Sequence, residues 1–143
     1  MEYSFHYLIM AQQALFQKEL LARLKDTDLT SGQPKILDYL ADHDGASQKD
    51  IAQGCHVEPG TLTTLLNRME EMDLVERRML NGNRRSYHIF MTEKGKAHAD
   101  LTQTAFKELE ETAFHGITAE EQEQFMHLFE RIFENTLTHN EKD

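Results

Sequence analysis

The chain has 143 residues, 25 acidic against 15 basic side chains, a formal net charge of -10, and 39% hydrophobic residues with only 7 Gly and 2 Pro. That length suits one domain, or two small ones sharing a core, and the composition excludes the collagen-like and disordered classes. No apolar run reaches the ~20 residues of a membrane helix, the opening Met1-Glu2-Tyr3-Ser4-Phe5-His6 shows no basic region ahead of an apolar stretch, and the single Cys55 excludes an internal disulfide, so the expectation is a cytoplasmic protein with no membrane partner.

From Phe5 to Leu24, apolar residues at Phe5, Leu8, Ile9, Leu15, Phe16, Leu20, Leu21 and Leu24 follow the spacing of an amphipathic helix. Asp26-Thr27-Asp28 breaks it. A second helix carries Ile36, Leu37 and Leu40, with Thr30 or Ser31 as its cap, Gln33 as a capping-box partner and Pro34 in its first turn. Asp44-Gly45 ends it. Ser47, with Asp50 three residues on, caps a short third helix holding Ile51 and Cys55. The fourth starts at Glu58-Pro59 and turns Leu62, Leu65, Leu66 and Met69 inward.

The period then changes to that of extended chain. Two runs, Leu74 to Leu80 and Asn83 to Met91, flank Asn81-Gly82, a strong hairpin signal. Thr92 caps a long helix with Ala97, Leu101, Ala105, Leu109 and Ala113 four apart, and Gly116 stops it. Thr118, with Glu121 as capping-box partner, opens a last helix with an apolar stripe of Phe125, Leu128, Phe129, Ile132, Phe133 and Leu137.

A net charge of -10 argues against a polyanionic partner, but the charge is uneven. Residues 47–98 hold eight bases and seven acids, a net of +1, so the rest of the chain carries -11. Within the middle segment lie Arg77, Arg78, Arg84 and Arg85. The fourth helix presents Thr61, Thr63, Thr64, Asn67 and Arg68 away from its apolar side, small hydrogen-bonding groups suited to the base edges of a major groove. Followed by an arginine-tipped hairpin, this is the layout of a winged helix-turn-helix, with one helix in the major groove and the hairpin at the adjacent minor groove or backbone.

The run from Ser47 to Thr63, the stretch Asn67-Arg68-Met69 leading to Leu74-Val75-Glu76-Arg77, and the wing positions Asn83, Arg85, Ile89, Met91, Thr92 and Gly95 resemble the MarR family of bacterial transcriptional regulators. The resemblance implies a mainly α fold, a winged helix-turn-helix with a two-stranded wing over residues 31–92. It also implies helical dimerisation regions over 1–30 and 93–143, the whole forming one intertwined domain. It implies a homodimer that represses from a pseudo-palindromic site on double-stranded DNA and is relieved by a ligand or an oxidant. The expected DNA-contacting set is Gln48, Thr61, Thr63, Thr64, Asn67, Arg68, Arg77, Asn83, Arg84, Arg85 and Ser86. A small aromatic or phenolic effector would sit among Met10, Phe16, Tyr39 and Met69, each of which also reads as ordinary core.

Two positions depart from the family pattern. Asn83 stands where the wing carries Asp, reducing an ion pair to a neutral hydrogen bond. Glu58 precedes Pro59 where Ser is usual, placing a carboxylate at a helix start that phosphates would approach. The aromatic stripe of the last helix supports a dimer without reference to any family, being more apolar surface than a small central fold covers. Cys55 occupies a core-like position, so a thiol sensor is the lesser reading. The eight histidines are scattered without the spacing of a metal site, and the motifs of common enzymes are missing. The expectation is therefore a regulator without cofactor, metal or catalytic residue. The alternatives are a protein-interaction module that uses the acidic flanks, and a regulator sensing metal or thiol oxidation.

Overall fold

The computed structural model describes residues 2–80 and 86–142 of the chain, with side chains as far as residue 141. In chain order the elements are α1 (Phe5–Arg23), a 3-10 turn (Lys25–Thr27), α2 (Gln33–Asp42), α3 (Gln48–Cys55), α4 (Pro59–Glu71), β1 (Val75–Met79), β2 (Tyr87–Met91), α5 (Glu93–Ala113) and α6 (Ala119–Lys142). Two compact units contain them, residues 1–109 and 110–143.

The first unit owns the core. Ile36, Leu37 and Leu40 of α2, Ile51 of α3, Leu62, Leu66 and Met69 of α4, Leu74, and Ile89 of β2 are completely buried. Removing each such side chain from water is worth about 1.5–3 kcal/mol before chain entropy is charged against it. Leu20 and Leu24 bring the end of α1 to this cluster, and Ala99, Ala105 and Leu109 bring α5.

Local chemistry sets the element ends. The Ser47 hydroxyl accepts from the Asp50 amide at 3.1 Å, capping α3 as its sequence predicts. At α2 the expected hydroxyl cap gives way to Gly32 at φ +91°, a conformation that leaves a side-chain cap unused. Gln33 nevertheless reaches back as half a capping box, its Oε1 accepting from the Thr30 amide at 2.9 Å. Pro59 opens α4, whose N-cap Glu58 makes no side-chain capping bond.

β1 and β2 pair antiparallel, with Val75 opposite Met91 and Met79 opposite Tyr87. That register differs from the one a two-residue turn at Asn81-Gly82 would impose, which sets Met79 opposite position 84. Residues 81–85, on which the expected Asn-Gly turn falls, lie outside the described residues. The other edge of β2 is short: Ile89 exchanges backbone bonds with Gly45 and Ala46 at 2.8 and 3.0 Å, and Ser47 bridges to His88.

Thr92 caps α5 through its hydroxyl, which accepts from the Gly95 amide at 3.0 Å. The buried face of α5 is Gly95, Ala99, Thr102, Ala105 and Leu109, so the stripe expected at Ala97, Leu101 and Ala113 is corrected. A strict four-residue row drifts about 40° per step around a 3.6-residue helix, and its ends leave the core-facing side. Leu101 is exposed in consequence.

The start of α5 is fastened to the end of α4. The Thr92 hydroxyl donates to the Asp73 carbonyl at 2.6 Å, the Thr92 amide to the Leu74 carbonyl at 3.1 Å, and Lys94 Nζ to the Met72 carbonyl at 2.8 Å. Gly95 presses on the Leu74 carbonyl so closely that an added methyl group would overlap it. In the second unit, α6 begins with the predicted reciprocal box: Thr118 amide to Glu121 Oε1 at 3.0 Å, and Glu121 amide to Thr118 Oγ1 at 3.1 Å. This bonding holds the Glu121 carboxyl below its ordinary pKa.

Gly95→Ala should lower the unfolding free energy by about 2 kcal/mol, because backbone rather than a flexible side chain must yield. Urea titration followed by circular dichroism measures it, and unchanged stability would mean that the contact at Leu74 is not tight.

Candidate nucleic-acid interface

α4 separates its two sides cleanly. Leu62, Leu66 and Met69 are buried, while Thr61, Thr63, Thr64, Asn67 and Arg68 are exposed, as the polar-face expectation requires. The helix is thus held by its apolar side against the core and offers the other side outward.

Several of these side chains are already committed within the protein. Thr63 Oγ1 donates to the Pro59 carbonyl at 3.0 Å and accepts from Gln48 Nε2 at 2.9 Å, so two residues expected at DNA also tie α3 to α4. Thr64 Oγ1 donates to the Gly60 carbonyl at 3.3 Å. Back-bonded hydroxyls of this kind spend their hydrogen on the helix and leave a methyl group and oxygen lone pairs outward.

Arg77 departs furthest from expectation. From β1 it places Nη1 2.9 Å from Glu70 Oε1 and 2.7 Å from Asn67 Oδ1, and Nη2 3.3 Å from the Thr63 carbonyl. Its side chain is only 18% exposed. Expected as a phosphate contact, Arg77 instead braces the strand against α4. Sequence reading missed this role, although a cation seven residues beyond Glu70, across a tight turn, is a signal that could have shown it.

Arg78 is also engaged, with Nη2 2.7 Å from Glu76 Oε1 and the guanidinium 4.3 Å from the centre of the Phe90 ring. Lys94 is held at Met72, and Lys96 lies 4.0 Å from Glu93. Among the described residues of the +1 segment, Lys49 and Arg68 are the basic side chains not engaged in this way. Ser86 is half-buried just before β2. Asn83, Arg84 and Arg85 lie outside the described residues. His88 sits beside this edge, with Nδ1 2.8 Å from the Gly45 carbonyl.

The residues expected around an effector do not share one environment. Met69 is completely buried in the core and Met10 is 67% exposed on α1. Phe16 stacks on Phe106 with ring centres 6.0 Å apart, and Tyr39 stacks on His43 at 4.2 Å while its other contacts include Gly54. The four therefore differ in exposure, and Met69 reaches a ligand only if the core opens. Cys55 is buried, its Sγ 3.7 Å from the Lys35 carbonyl, and burial pushes the thiol above its ordinary pKa despite the opposing charge of Lys35. Among the described residues no three His, Cys, Asp or Glu side chains gather as a metal site, and no helix is long and apolar enough to cross a membrane.

Comparison with known proteins agrees with this geometry. The model of the MarR family matches residues 29–87, the segment from the start of α2 into β2. The chain is 29% identical over 97 residues to the HTH-type transcriptional regulator YwhA of Bacillus subtilis, covering 68% of this chain and 70% of that one. It is 25% identical over 126 residues to the HTH-type transcriptional repressor Rv2887 of Mycobacterium tuberculosis, covering 88% and 91%. Among solved structures, the S. aureus MepR–DNA complex superposes with a TM-score of 0.86 at 26% identity, over 94% of this chain and 99% of that one. With an exposed polar helix face, a two-stranded hairpin and these relatives in agreement, the comparisons support a MarR-type DNA-binding transcriptional regulator rather than an enzyme.

Proposed function

We propose that the chain is a homodimeric repressor, acting in the cytoplasm, that binds a pseudo-palindromic operator and is released from it by a small aromatic or phenolic ligand. The observation that carries the operator reading is the exposed Thr61/Thr63/Thr64/Asn67 face of α4, set beside the hairpin strands β1 and β2. MepR, similar to this chain over most of its length, is a protein solved on DNA, and Rv2887 is named a repressor. Phosphate contacts supply affinity and the α4 face supplies sequence preference. Lys49 and Arg68, with Arg84 and Arg85, are the cations assigned to phosphate; the bracing of Arg77 removes it from that group.

Exposed apolar surface supports the dimer. α1 displays Phe5, Tyr7, Leu8, Ile9 and Met10, and α6 displays Phe125, Leu128, Phe129, Ile132 and Phe133, each at least 38% exposed. Exposed apolar side chains in such number on each helix are unusual on a monomer and are the raw material of an isologous interface. A dimer presents two α4 helices, which matches two half-sites. The effector rests on the family resemblance, with Met10 the expected lining residue most open to solvent and Phe16 and Tyr39 half-buried. The buried thiol weighs against oxidant sensing.

Operator binding should be read from a footprint upstream of the protein's own gene and quantified by mobility shift. Arg85→Ala should weaken it at least tenfold without changing the dimer, and affinity should fall steeply with salt as counterions are released. No footprint, or affinity indifferent to salt, would favour a protein-docking role for the acidic flanks. Ile132→Glu should yield monomers in sedimentation velocity together with loss of operator binding; persistence of a dimer would remove α6 from the interface. Cys55 should alkylate slowly in the native protein at neutral pH, and peroxide should leave operator affinity unchanged in both wild type and Cys55→Ser. Loss of affinity in the wild type alone would restore the thiol-sensing reading.

A further inference from the structure

We propose that Arg77 fixes the hydrogen-bonding polarity of Asn67, so that Asn67 reads a base edge bearing acceptors, guanine first, and discriminates against adenine. The inference rests on the DNA-reading role of α4 proposed above.

An asparagine amide free to turn reads adenine with two bonds, donating to N7 and accepting from the N6 amino group. Asn67 is not free. Arg77 Nη1 lies 2.7 Å from its Oδ1, and a guanidinium has only donors, so the carbonyl oxygen must face Arg77 and the Nδ2 amino group is directed away from it. The guanidinium is itself held, by Glu70 at 2.9 Å and by the Thr63 carbonyl at 3.3 Å. The amide is thus set before any DNA arrives.

Oδ1 keeps a second lone pair, but it lies beside the Arg77 N–H dipole. An incoming adenine or cytosine amino group brings another partial positive charge to the same place and is repelled. Polarisation of the amide by Arg77 makes Nδ2 the stronger donor. Guanine offers O6 and N7 side by side to a single amino group, thymine offers O4, adenine only N7, and the cytosine edge offers a donor. The order expected at this position is guanine, then thymine, then adenine, with cytosine last.

The neighbouring hydroxyls fit the same pattern. Thr63 and Thr64 give their hydrogens to the Pro59 and Gly60 carbonyls, so outward they offer acceptors and methyl groups. Of Thr63, Thr64 and Asn67, it is therefore Asn67 that presents a neutral side-chain donor outward.

The test is selection of bound duplexes from a random pool by wild type, Asn67→Ala, Arg77→Met and Asn67→Asp, with thermal melts to confirm folding. The operator position that loses its preference in Asn67→Ala is the one Asn67 reads. Wild type should select guanine or thymine there. Arg77→Met, releasing Oδ1, should raise adenine relative to guanine roughly tenfold. Asn67→Asp keeps the bond to Arg77 but removes the donor, and should shift the position toward cytosine. Adenine in the wild-type consensus overturns the inference, as does an unaltered base preference in a folded Arg77→Met. Should Arg77→Met not fold, the wild-type base and the Asn67→Asp shift decide the matter, and failure of either overturns it. A wild-type pool without any consensus sinks the operator reading itself, whereas a consensus untouched by Asn67→Ala sinks only the base-reading role of Asn67.

Discussion

The guanidinium of Arg77, seated between strand and helix, is the contact on which the reading surface depends. It meets a carboxylate, an amide oxygen and a backbone carbonyl at once, all of them on α4. A planar fork of donors can satisfy several acceptors in this way where an ammonium would serve fewer. Exposed ion pairs are worth little, but one that is largely shielded and shared over three acceptors constrains geometry even where its net energy is modest. What it constrains is the position of α4 on the hairpin.

α4 is restrained at its other points as well. Gln48 holds it at Thr63 from α3, and Lys94 and Thr92 hold the Met72 and Asp73 carbonyls just past its end from the start of α5. Its apolar side is buried against the core throughout. A helix fixed near both ends and at the middle meets DNA as a preorganised element, so little conformational entropy remains to be lost on binding.

Much of this was legible in the residues. Caps at Ser47, Thr92 and Thr118 and the prolines at α2 and α4 set helix starts because they act locally, through bonds three residues long. The polar side of α4 was legible because burial obeys the helical period. What was not legible depends on the third dimension. The strand register is decided by which side chains of β2 enter the core, with Ile89 and Met91 buried. The inward face of α5 is decided by the close approach at Gly95, which moves the stripe from Leu101 to Ala99 and Thr102. The engagement of Arg77 needs β1 and α4 side by side. The charge count has a comparable lesson. Of the arginines in residues 47–98, Arg77 and Arg78 are paired with Glu70 and Glu76, so the count of eight bases overstates what the described surface offers a phosphate.

Shared bonding on α4 also bears on how such a protein can change its target over evolutionary time. Thr61 and Arg68 are exposed, and Thr64 bonds only back to its own helix, so substitutions at these three positions leave the scaffold undisturbed. Thr63 and Asn67 serve two masters, since each also holds a neighbouring element. Drift in operator sequence is therefore easy where the first three residues read and slow where the other two do. New specificity at Asn67 requires a compensating change at Arg77 in the same lineage, so the two positions should vary together among relatives.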